Sequence, residues 1–148
     1  MQFDPNNTIV KLCVQGLEYE GLGEREKALG YYGLAWQQAS TDFEKFTAAH
    51  YLARHQCDPA KELEWNQLAL NHAKLVDRHT MKQYFPSLYL NLAKSFEQIG
   101  DFQSAYSACE LANSYTEFLS DDGYGKMIKA GVKAALTRLT TTLSDRAS

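Results

Sequence analysis

The chain has 148 residues, enough for one domain that buries roughly 68 to 70% of its unfolded surface with no need of a disulfide or a metal. With 45% hydrophobic and 22% charged residues, 3 Pro and 9 Gly, it is not a disordered, collagen-like or low-complexity chain. The net charge of -3 is uneven: from Gly123 onward five basic residues stand against Asp145, so the tail carries +4 and the first 122 residues -7.

Helical periodicity runs through nearly the whole sequence, interrupted by Gly, Asp or Pro, with no alternating strand pattern, so the fold class is read as all-α. Helices are predicted over 7–21, 24–39, 41–55, 59–77, 81–98, 101–119 and 122–143. The first two carry Leu12, Gly16, Tyr19, Gly23, Ala28, Tyr32 and Ala35 at the spacing W-x2-L-G-x2-Y followed by A-x3-F. The third helix, FEKFTAAHYLARHQ, keeps Phe46, Ala49 and Ala53 in the same register and ends at a Cys-Asp-Pro turn. Pro59 suits the first turn of the fourth helix, which is expected to be long, with Leu63, Leu70, Ala73 and either Trp65 or Ala69 facing inward. In the fifth and sixth, Tyr89, Leu92, Ala93, Phe96, Gly100, Ala105 and Ala112 restore the register, with Gly100 free to take a left-handed C-cap and Asp101 placed to cap the next helix. The last helix is amphipathic through Ile128, Val132, Ala135, Leu139 and Leu143.

On these residues the sequence resembles the tetratricopeptide repeat (TPR) family over roughly 9–119. Units fall at about 9–42, 43–85 and 86–119; Gly23 and Gly100 lie 77 residues apart, one unit of 34 and one of 43, so the middle unit is enlarged. The resemblance implies a single domain over 1–148: an α-solenoid of three helical hairpins closed by a capping helix at about 122–143.

Enzyme signatures are missing: there is no GxGxxG, GxxxxGK[ST], GxSxG or HExxH, so neither catalysis nor a cofactor is expected. His50, His55, His72 and His79 form no i, i+4 pair, and no metal site is expected. Cys13, Cys57 and Cys109 contain no CxxC and read as reduced, small hydrophobes; with neither a signal-peptide pattern nor an apolar run long enough to span a membrane, the expected location is cytoplasmic. Glu18 and Glu20 point apart on a helix, and Asp121 and Asp122 stand where N-caps stand. Lys126, Lys129 and Lys133 form a stripe at i, i+3 and i+7, read as the solvated face of a cap, with nucleic acid or an anionic surface as the alternative.

What the TPR resemblance implies about function is a non-catalytic scaffold or adaptor that binds a peptide or helix in a concave groove lined by the first helices. By register this gives Val10, Cys13, Leu17 and Glu20 from the first unit, Glu44, Thr47, Tyr51, Arg54 and His55 from the second, and Ser87, Leu90, Lys94, Glu97 and Gln98 from the third; the groove proper is read as Val10, Cys13, Leu17, Tyr51, Arg54, His55, Leu90 and Lys94. A branch of the family clamps chaperone C-termini with Lys, Asn and Arg. Here the matching positions hold Cys13, Leu17, Ala48, Leu90 and Lys94, so that ligand is not expected. Apolar ligand residues would bury on Leu17, Tyr51 and Leu90, and a carboxylate would meet Arg54 and Lys94. A small-molecule or catalytic role for the groove is a second alternative, and the sequence leaves monomer and homodimer open.

Overall fold

The computed structural model describes residues 4–147, and every regular element among them is helical. The α-helices are α1 (Thr8–Gly21), α2 (Arg25–Gln38), α3 (Asp42–Ala53), α4 (Pro59–Leu75), α5 (Arg78–Met81), α6 (Phe85–Gln98), α7 (Phe102–Ser114) and α8 (Gly123–Ala147), with a 3-10 turn at Thr116–Phe118. The chain divides into two compact units, one ending at Asp77 and the other starting at Arg78, where the sequence suggests one domain.

Local chemistry explains where the helices start and stop. Asn7 caps α1 by accepting from the N–H groups of Ile9 (2.8 Å) and Val10 (3.1 Å). Thr41 and Glu44 form a reciprocal capping box on α3, and Asp58 caps α4 directly before Pro59. The two turns predicted to be equivalent are alike in geometry. Gly23 (φ 77°) and Gly100 (φ 86°) take the left-handed conformation, and the following residue donates back to the aromatic, Glu24 to Tyr19 O and Asp101 to Phe96 O, both at 2.9 Å. Asp101 then accepts from Ser104 N at 3.1 Å and restarts the chain as a helix.

Three predicted helices need correction. The helix expected over 81–98 is two elements, because Pro86 lacks an N–H and its ring excludes a helical turn before it; α6 starts only at Phe85. The helix expected over 101–119 ends at Ser114, where Tyr115 N turns to Ala112 O at 3.2 Å and a 3-10 turn follows. The last helix runs beyond 143 to Ala147, its threonine hydroxyls folded back on carbonyls four residues earlier, Thr140 onto Leu136 at 2.7 Å and Thr142 onto Arg138 at 3.0 Å.

In the first unit α1 pairs with α2 and α3 with α4, while α3 also packs on α2 and, less, on α1. The buried centre joins Ile9, Cys13, Ala28, Tyr32, Ala48 and Leu52. Its tightest fit is Gly16 against Tyr32: a Cβ at Gly16 would stand 2.3 Å from the Tyr32 ring, so the glycine is what lets a fully buried tyrosine cross the hairpin. In the second unit the same positions hold Ala93 and Cys109, both buried, a smaller side chain on one helix balanced by an added methyl on the other. In the degenerate middle hairpin α4 is 17 residues long and buries Ala69, Leu70, Ala73 and the polar Asn66, while Leu63 and Trp65 are half-buried.

In the second unit α8 packs mainly on α7 and less on α6. Its N-cap is Asp122, which accepts from Gly125 N at 2.8 Å and from the Ser120 hydroxyl. A Cβ at Gly125 would lie 1.8 Å from the Ser120 carbonyl oxygen, so Gly125→Ala is expected to lower stability by more than about 2 kcal/mol. A urea unfolding curve within about 0.5 kcal/mol of wild type would show that the 120–125 turn relaxes freely.

Candidate interaction site

At their C-terminal ends α1 and α3 meet through one carboxylate. Glu20 Oε2 accepts from Arg54 Nη2 at 2.7 Å, while Oε1 accepts from the Tyr32 hydroxyl at 2.9 Å and lies 2.6 Å from His55 Nε2. At the N-terminal ends Asn7 Nδ2 donates to Glu44 Oε2 at 2.8 Å, so α1 and α3 are parallel neighbours. The rings close the cluster: Tyr32 stacks on Tyr51 (centroids 5.2 Å apart) and on His55 (5.8 Å), and the Arg54 guanidinium sits 5.6 Å over Tyr51. Arg25 donates to the His55 carbonyl and so anchors α2 to the end of α3.

Partial burial pushes the Glu20 carboxyl up, but the bonds from His55 and Tyr32 and the Arg54 charge outweigh it, and it titrates below its ordinary value. Tyr32 is raised, by burial and then by its bond to Glu20. A carboxylate with both oxygens engaged is a poor general base, and Cys13 is no nucleophile, since burial drives its thiol up to about 12. The cluster is built to hold side chains in place. Among the described residues no three His, Cys, Asp or Glu gather as metal ligands would.

Of the groove residues expected by register, Leu17, Tyr51 and His55 are half-buried and Arg54 is exposed, all in the first unit. Val10 and Cys13 are buried and offer little surface to a ligand. Leu90 is also buried, for a physical reason: α8 lies on this face of α6, with Gly131 against it, so that a Cβ there would stand 3.2 Å from Leu90 Cδ2. Lys94 is exposed. Lys126, Lys129 and Lys133 are exposed on α8 and form no ion pair with another described residue.

The register places Glu20 and Glu97 in the groove, but two features were not evident from the sequence: the ties these carboxylates make, and a seam of aromatic and polar side chains. Glu20 is the hub of the cluster, and Glu97, 77 residues on, repeats it: Arg138 Nε and Nη2 hold the Glu97 carboxylate at 2.8 and 2.9 Å. The recurrence of Glu at that spacing was the available signal. The other is an aromatic and polar seam along α4: Trp36 of α2 meets Trp65 edge to face at 5.1 Å, and His72 Nδ1 lies 2.9 Å from Asp42 Oδ1 of α3.

The arrangement is a TPR-like helical-repeat fold. It matches the crystal structure of PcrH from Pseudomonas aeruginosa with a TM-score of 0.62 over 94% of this chain and 96% of that chain, at 16% sequence identity. No protein-family model matches the chain, and no curated protein does. No described helix is long and apolar enough to cross a membrane.

Proposed function

We propose that this chain is a non-catalytic protein-interaction module, and that its first unit binds a peptide or short helix along the exposed sides of α1 and α3. The observation that carries this reading is Arg54, a solvent-facing cation locked by Glu20 and laid over Tyr51, which is itself stacked on Tyr32. A guanidinium with its rotamer already fixed loses little freedom on meeting a partner. Next to it, Leu17 and Tyr51 occupy the same repeat position on parallel helices and present half-buried apolar surface. A ligand with apolar side chains and a carboxylate suits this surface.

The test is retention of proteins from the source cell's lysate by immobilised wild type and by Leu17→Asp/Arg54→Ala, both checked for native circular dichroism. A protein held by wild type and at least about tenfold less by the variant is expected, since loss of a paired interfacial charge weakens binding by that much or more. Equal retention by both, or retention that disappears on nuclease treatment, overturns the proposal.

A further inference from the structure

In the second unit α8 takes the place of the first helix of a hairpin. α8 sits on α6 and α7 as α3 sits on α1 and α2: mainly on the preceding second helix and less on the preceding first helix. The Arg138–Glu97 pair repeats the Arg54–Glu20 pair. Counting from these ties gives a common register. Gly16, Ala93 and His50 stand four residues before Glu20, Glu97 and Arg54; Ala134 stands four residues before Arg138. The Gly16 position faces the second helix of its hairpin, as its contact with Tyr32 shows. Among the described residues no helix covers that face of α8. Ala130, Lys133, Ala134 and Thr137 are exposed, and Met127 is 61% exposed beside them, where the equivalent Phe46, Ala49 and Ala53 of α3, a helix packed on α4, are buried.

We infer that this face of α8 is a docking slot for an amphipathic helix of a partner protein, one with apolar residues along one stripe and acidic residues along its border. Size and charge together specify the occupant. Ala130 and Ala134 let a helix approach closely, as Gly16 does for α2, and Met127 adapts to the side chain it meets. Lys126, Lys129 and Lys133 lie in and along the face and pair with no described carboxylate, so an acidic border completes them. A second copy paired α8 to α8 across a two-fold axis would bring the same three lysines against each other, which disfavours it. The inference rests on the protein-binding reading of the fold but uses a different surface from Leu17 and Arg54.

The probes are fluorescein-labelled 20-residue helical peptides with leucine at i, i+3, i+7 and i+10. One carries flanking glutamates, and its control carries lysines. Fluorescence anisotropy with the full chain is expected to show saturable binding of the acidic peptide only. Affinity should fall at least tenfold in Ala134→Trp, which blocks the slot from the solvent side with no change in charge, and in Lys126→Glu/Lys129→Glu/Lys133→Glu. Leu17→Asp/Arg54→Ala should leave it unchanged, which separates failure here from failure of the first-unit site. The proposal is overturned if neither peptide binds, or if Ala134→Trp binds as wild type does, leaving a charge patch only. It is also overturned if a single-stranded RNA oligonucleotide or phosphatidylserine vesicles bind more tightly than the acidic peptide, or if sedimentation shows a dimer that Ala134→Trp dissolves.

Discussion

Gly16→Ala is expected to destabilise the protein by about 2 to 3 kcal/mol, a large loss for one methyl group. The added carbon would stand 2.3 Å from Cε1 and 2.8 Å from Cζ of Tyr32, and Tyr32 cannot retreat. Its ring is fully buried, stacked on Tyr51 and His55, and its hydroxyl is bonded to Glu20. The second hairpin of this kind in the chain indicates the remedy, since Ala93 and Cys109 share the equivalent places. In a Tyr32→Cys background, itself destabilised by the lost ring, the further penalty of Gly16→Ala should therefore nearly vanish. A double-mutant cycle from urea unfolding measures this directly; additive effects would mean that the ring and the glycine do not compete for the same space.

A second large effect concerns pH. His50 Nδ1 is buried with no hydrogen-bond partner, and burial, reinforced by the Arg54 charge, lowers the imidazole from 6.5 to about 4. The folded protein therefore resists a proton that the unfolded chain accepts. Stability is full above pH 6.5 and falls as pH drops toward 4, by up to roughly 3 kcal/mol. Glu44 acts in a different window. Hydrogen bonds from Ser40 and Asn7 depress it from 4.5 to about 2, so its contribution is lost only below pH 4.5. The difference between wild type and His50→Leu at pH 7 and at pH 4.5 isolates the histidine. The variant should stay within about 1 kcal/mol of wild type at pH 7, because an unsatisfied polar atom has been removed, and should lose clearly less on acidification. Parallel losses in the two proteins would show that the imidazole is protonated in the folded state.

The sequence by itself determined the all-helical class and the repeat turns, because Gly23, Gly100 and Asp101 act through backbone conformation and capping that neighbouring residues decide. Pro86 was equally local and legible, and it splits the segment expected to be one helix. The register of small and large residues was readable as well, since helix pairing with a fixed period leaves its mark at fixed spacings. Which register positions stay open to a ligand was not readable, for a physical reason: exposure depends on what lies across the helix, and that comes from distant parts of the chain. Leu90 matches Cys13 in the repeat, but only the fold places Gly131 of α8 over it. Glu20 was a groove position by register, but nothing beside it in sequence indicated its partners. The approach of Tyr32, Arg54 and His55, from 12 to 35 residues away, makes it the centre of the first unit's candidate site.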